Sequence, residues 1–233
     1  MRENPKTSGS GIVTCRPNVG RCPLGCAECY YNAEGYWQDR DVAYVPTLEQ
    51  VAGRVVRVND GLDSNVDRGV VLAGTRQYEH RFYGTSIPQF DFEGRPVVFT
   101  CNGRESIFTT VTDEVMAVRV RCTTWGTRAG EDDLVRHYVE QGVPVILTFM
   151  RFGAAGSIPE QYRHGYERGR SVLNEYWKAT VLAKLDMLTH HMSVAGGKNA
   201  GLVRVCGTLW SGLCRDCGTC EALYWRWVKG AGG

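Results

Sequence analysis

Seven of the ten cysteines in this 233-residue chain fall into two tight groups, and no other feature constrains the fold as much. Cys22, Cys26 and Cys29 lie in "RCPLGCAECYYN", and Cys206, Cys214, Cys217 and Cys220 lie in "CGTLWSGLCRDCGTC". The polar start "MRENPKTSGSG" has no apolar h-region, so export is not indicated and the chain reads as cytoplasmic. Where thiols stay reduced, clusters of this kind are metal-ligand spacing rather than disulfide pairs. The fold must therefore wrap backbone around two centres. Cys15, Cys101 and Cys122 remain outside the groups.

Composition narrows the class. Hydrophobic residues make up 43% and charged residues 22%, as in an ordinary globular protein with one buried core. No apolar run approaches the roughly 18 to 20 residues that span a bilayer, so no membrane partner is expected. A formal charge of +2 does not indicate nucleic acid.

The hydrophobic pattern alternates between strand and helix. "SGIVTC" reads as a strand feeding the first cysteine loop. "TLEQVAGRVVRV" opens with a capping box, Thr47 with Gln50, and its valines leave the second half open to a strand. "RPVVFTC" and "VMAVRVRC" are β-branched runs of strand length. "AGEDDLVRHYVEQG" predicts a helix with an acidic first turn and Gly142 at its end, followed by the buried strand "VPVILTFM". Leu173, Trp177, Val181, Leu185 and Leu188 predict a long helix within about 159–191, and "GLVRVCG" a last short strand. This order favours a parallel sheet with crossover helices and with its chemistry at the C-terminal strand ends. The chain divides into a main unit, 1–200, and a Cys-rich metal-binding segment, 201–233, whose tail "LYWRWVKG" reads as a short helix over the cysteines.

Three thiols on a Pro- and Gly-containing loop fall short of the four ligands a structural zinc takes, unless Cys15 is recruited. An iron–sulfur cube held by three cysteines keeps one iron open. Cys22-x3-Cys26-x2-Cys29, directly after a first strand of an α/β chain, resembles the radical S-adenosylmethionine (radical SAM) superfamily. Further segments, "VVRVNDGLDSN", "TSIP", "VPVILTFM", "LNEYW" and "CRDCGTC", resemble small radical proteins of phage and environmental sequences. The resemblance implies an incomplete (β/α)6 TIM-like barrel, closed at one end by the Cys-rich loop. It implies an enzyme whose [4Fe–4S] cluster binds S-adenosylmethionine at the open iron and cleaves it reductively. The 5′-deoxyadenosyl radical then abstracts hydrogen from an unknown substrate, with electrons from a donor such as flavodoxin or ferredoxin.

The resemblance extends to single positions. Glu28 stands where the superfamily commonly has an aromatic residue near the adenine, which passes that role to Tyr30 or Tyr31. Asn102, Gly103 and Glu105 match the segment that holds the methionine amino group, although an ordinary Asn-Gly turn also explains them. Thr148 and Arg151 are the ribose-side candidates.

The second group is a complete four-thiolate set, for a second [4Fe–4S] cluster or for zinc. The competing class is a non-enzymatic, zinc-stabilised α/β binding protein; an electron carrier is disfavoured by the open iron. Among the remaining residues, Asp60, Asp63 and Asn65 lack EF-hand spacing and read as a turn or a substrate-facing loop. His190 and His191 have no ligand partner spaced for them in the sequence. Arg119, Arg121, Trp125 and Arg128 flank a strand end. Cys101 and Cys122, at strand ends, are candidate catalytic hydrogen donors or else small buried hydrophobes.

Overall fold

Parallel strands need connections long enough to cross the sheet, and this chain separates its short β-branched runs accordingly. The computed structural model describes residues 4–26, 29, 31, 39–101, 108–124, 130–170 and 175–231. Strand β1 (Ile12–Cys15) leads through the first cysteine loop to helix α1 (Leu48–Val51) and strand β2 (Val55–Val58). Helix α2 (Arg68–Thr75) precedes strands β3 (Arg81–Thr85), β4 (Val97–Cys101) and β5 (Val115–Cys122). Helix α3 (Glu131–Glu140) leads to β6 (Val145–Phe149). A short excursion follows, with β7 (Arg151–Phe152), β8 (Tyr166–Arg170) and β9 (Glu175–Ala179). Helix α4 (Val181–Ala195), strand β10 (Val203–Val205) and helices α5 (Cys214–Cys217) and α6 (Thr219–Ala231) complete the chain.

Strands β1 to β6 and then β10 lie side by side, all parallel, in a seven-stranded sheet that curls into a half-barrel. The segment after residue 200 is built into this body: β10 extends the sheet beside β6, and α6 packs on its inner face. Strands β7, β9 and β8 form a separate antiparallel sheet.

Alternation along each strand sorts side chains onto two faces. Val13, Val56, Tyr83, Phe99, Val118 and Leu147 join the cluster that α2, α3 and α4 cover. Ile12, Val55, Phe82, Val98, Ala117 and Ile146 face the other way, against Leu223 and Tyr224 of α6. Further along the same inner side the alternation brings Thr14, Arg57, Arg119 and Thr148.

Local signals set several boundaries. Thr47 and Gln50 close the capping box of α1, at 3.2 and 2.9 Å, and the valines after it form β2. Helix α3 ends in a Schellman motif: Gly142, at φ 78°, bonds to the Val139 carbonyl (3.0 Å) and Val143 to that of Tyr138 (3.2 Å).

The long helix expected within 159–191 does not form as one element. Residues 160–165 are a 3-10 turn, β8 and β9 pair antiparallel, and α4 begins only after Thr180. Thr180 is the true start signal, its hydroxyl accepting from the Ala183 amide at 3.2 Å. What holds the hairpin is a close contact. A Cβ on Gly169 would sit 2.5 Å from the Tyr176 ring, which in turn stacks under the Arg151 guanidinium at 4.7 Å. Leu173 lies outside the described residues. The expected count of about six strands becomes seven in the main sheet, because β3, "RFYGT", carries Gly84 in place of a β-branched residue and shows no strand pattern.

Burial predicts unequal cost for two leucines. Leu223→Ala empties a site that is 4% exposed and should lower stability by about 2–5 kcal/mol in urea unfolding. Leu182→Ala, at a position 72% exposed, should change it by less than about 0.5 kcal/mol.

Candidate metal centre

The first cysteine loop is organised by one buried arginine. Arg16 follows β1, and its Nη1 donates to the carbonyls of Asn18 (3.1 Å) and Arg40 (3.0 Å) and to the Tyr31 hydroxyl (3.2 Å). Its Nη2 donates to the carbonyls of Asp39 (2.6 Å) and Val42 (2.7 Å). The Tyr31 hydroxyl donates to the Gly20 carbonyl (2.7 Å), and its ring lies between the guanidiniums of Arg16 and Arg40, each 5.7 Å from the centroid. Both ends of the loop are thereby tied to the strand that launches it.

Cys22 is buried beside Tyr31 and Leu62, with Cys29 packed against them, and Cys26 is half-buried. Burial pushes the Cys22 thiol up; backbone groups of Leu24 and Asp63 pull the other way, while the Asp63 carboxylate and Cys29 add to the rise. Such a thiol releases its proton to solvent readily only when a metal cation takes its place on sulfur. Tyr31, fully buried and committed to the loop's interior, offers no surface to an adenine. Tyr30, Glu28, Asn102, Gly103, Glu105, Trp125 and Arg128 lie outside the described residues.

The loop after β2 contacts Cys22 through Leu62 and Asp63, and the charge of Asp60 acts on Cys206. Asp63 accepts from the amides of Asn65 (2.9 Å) and Ser86 (2.5 Å) and from the Thr85 hydroxyl (2.8 Å), so it builds a turn rather than a calcium site. Asp60 pairs with Arg57 and accepts from the Asn4 amide. Burial works against the charge of Asp60, but Arg57, Lys6 and Arg119 outweigh it and hold the carboxyl below its usual range.

Those same three cations surround the second cysteine group. Cys206 leaves β10 on the inner side, Cys214 and Cys217 lie on α5, and Cys220 lies in the first turn of α6. Lys6 Nζ is 3.9 Å from Cys206 Sγ, and Arg119 Nη2 is 3.6 Å from Cys220 Sγ. Burial alone would raise the Cys206 thiol, but Lys6, Arg119 and Arg57 bring it below its ordinary value. Cys214 rises through burial, opposed by Arg57 and Lys6 and helped by Cys220 and Cys206. The loop between is closed by Gly207, at φ 85°, where a Cβ would meet the Ser211 carbonyl at 2.4 Å.

The donor set fits metal. Half-buried Arg119 has an enclosed Nε without a hydrogen-bond partner, and the cationic cradle suits thiolates.

The remaining candidates divide by face. Thr148 points to the inner side opposite Arg121, its buried hydroxyl without a partner. Arg151 stacks on Tyr176 with its Nη2 against Gly212, joining the small sheet to the second cysteine loop. Cys101 and Cys122 both lie in the helix-covered cluster, on the face away from Arg119. Burial pushes the Cys101 thiol up to about 12, against a hydrogen bond with Tyr138. Both behave as core residues. Lys6, Arg16 and Arg57 escaped the sequence reading; the signal available for Arg57 and Arg119 was a lone arginine at the alternating position of a valine strand.

Compared with protein families, curated proteins and solved structures, the chain matches none.

Two substitutions test this electrostatic construction. Arg119→Gln removes a cation from the thiols, so the pH midpoint for alkylating Cys206 in the metal-free chain should move upward. Arg16→Ala removes the guanidinium from four loop carbonyls, of which that of Arg40 keeps the Gly20 amide, and should cost about 2–4 kcal/mol in urea unfolding and raise the rate of protease cleavage in the cysteine loop.

Proposed function

We propose that this chain is a radical SAM enzyme built on a partial (β/α) barrel, with Cys22, Cys26 and Cys29 holding a [4Fe–4S] cluster. The observation that carries the reading is positional. The three-cysteine loop leaves directly from the C-terminal end of the first strand of a curled parallel sheet, and such ends are where α/β folds gather their chemistry. When bound, the cluster supplies the electron for reductive cleavage of S-adenosylmethionine, whose deoxyadenosyl product abstracts hydrogen from a substrate.

The chain's own residues prepare that site. Arg16 and Tyr31 fix both ends of the loop, and the burial of Cys22 shields one ligand from water. Thr148 contributes an unpartnered hydroxyl on the inner side near the strand end, suited to a ribose hydroxyl. Arg57, Arg119 and Lys6 balance the negative charge of the second thiolate set, whose four sulfurs suit a fully ligated second cluster. Asp63 acts on Cys22 and Asp60 on Cys206, so one short loop is coupled to both sets, which suits passage of an electron between them from a flavodoxin- or ferredoxin-like donor.

The test is anaerobic reconstitution with iron and sulfide, followed by reduction in the presence of S-adenosylmethionine. About eight irons per chain and release of 5′-deoxyadenosine are expected, as for two cubes. The Cys22→Ala, Cys26→Ala, Cys29→Ala triple variant should keep about four irons and lose all cleavage. Four irons with one zinc in the parent would keep the activity and make the second site structural. Cleavage surviving in the triple variant, or zinc filling both groups, would refute the proposal.

A further inference from the structure

A third constellation of ligand atoms lies on the opposite side of the sheet from the second cysteine group. Cys122 ends β5 and points into the helix layer, since Arg121 before it takes the inner face. Glu131 opens α3, and its side chain turns back toward the end of β5. Packing of α4 on α3 brings His191 to the same place. One ligand atom each from Cys122, Glu131 and His191 lie within 4.8 Å of one another, and all three residues are buried, at 0%, 3% and 0% exposure.

His191 is the informative member. A buried imidazole normally spends at least one ring nitrogen on a hydrogen bond, yet neither nitrogen of His191 makes one. Its Nδ1 lies 3.3 Å from Asp132 Oδ1, close enough to orient the ring, and Asp132 is itself held from outside by His190 Nε2 at 2.9 Å. Burial holds the ring's pKa down at about 4, against the pull of Asp132, so at neutral pH it is the uncharged imidazole that binds metals. Sequence spacing gives the two histidines no partner; the packing of two helices supplies it.

We propose that Cys122, Glu131 and His191 form a binding site for a divalent transition metal, with Asp132 as the positioning residue for His191. The donor set, one sulfur, one imidazole nitrogen and one carboxylate oxygen, suits a borderline-soft ion, and zinc fits it best. With Asp132 beside Nδ1, Nε2 would be the nitrogen that takes the ion, in the carboxylate–histidine–metal arrangement that fixes ligand tautomers. Binding releases the Cys122 thiol proton to solvent and leaves a thiolate on the metal. The ion would pin β5, α3 and α4 together at one point. Being on the helix side, the site does not depend on the radical chemistry.

The probe is zinc, measured by equilibrium dialysis on the full chain against its variants. Zinc taken up by the other cysteines is common to all of them and cancels in the difference. The parent should hold one zinc more than Cys122→Ser or His191→Ala, and zinc should raise the melting temperature of the parent more than theirs. Asp132→Asn should bind that ion about tenfold more weakly, with an unchanged melting temperature when metal-free. Asp132 is partly exposed, so this variant decides the matter if the two buried substitutions fail to fold. Equal zinc content and equal affinity in Asp132→Asn and in every folded variant would overturn the proposal.

Discussion

A parallel sheet has to be covered on both faces, and the way this chain covers its inner face governs nearly everything else about it. The outer face receives amphipathic helices in the usual manner. The inner face receives α6 over its apolar part, where Leu223 and Tyr224 meet Ile12, Val55, Val98 and Ile146. Toward the C-terminal strand ends the apolar residues give way to Arg57, which is buried, and Arg119, which is half-buried with its Nε enclosed. Buried guanidiniums are tolerated only with anionic partners. Asp60 supplies one, and the thiols of Cys206, Cys214 and Cys220 supply the rest.

That dependence runs both ways. Thiols brought together in a low-dielectric interior resist ionisation, and mutual repulsion makes each further proton harder to remove. The cradle of Lys6, Arg57 and Arg119 offsets this for Cys206. In the first group Cys22 instead faces the Asp63 carboxylate and its neighbour Cys29. The two groups thus differ at these positions: neighbouring cations hold Cys206 below its ordinary value, and burial holds Cys22 above its own.

Much of the architecture was legible because it rests on local rules. The valine-rich strands, the capping box at Thr47 and the glycine stop at Gly142 are each fixed by backbone chemistry within a few residues. The hairpin over 166–179 was not, because its leucine, tryptophan and valine spacing mimics a helix and the deciding contact, Tyr176 over Gly169, is tertiary. The cysteine groups announced themselves by spacing alone. Which way Cys101 and Cys122 point was hidden, since a strand's sequence shows that its faces alternate without showing which one meets the helices. Arg119 was ambiguous for the same reason: alternation looks identical whether the odd face meets water or, as here, is sealed by a helix from the far end of the chain.

The tie between Lys6 and the second cysteine loop joins segments 200 residues apart, through the Lys6 ammonium near Cys206 and the Lys6 carbonyl accepting from the Cys214 amide. Closing a loop of that length costs on the order of 5 kcal/mol in chain entropy. Strands β1 to β6 can pair with sequence neighbours as they appear, but this pocket has no local precursor. It therefore belongs to the last stage of folding, after β10 has docked, and until then Arg57 and Arg119 remain hydrated with the inner face open around them. A metal delivered to a nascent chain would find the first cysteine loop long before the second.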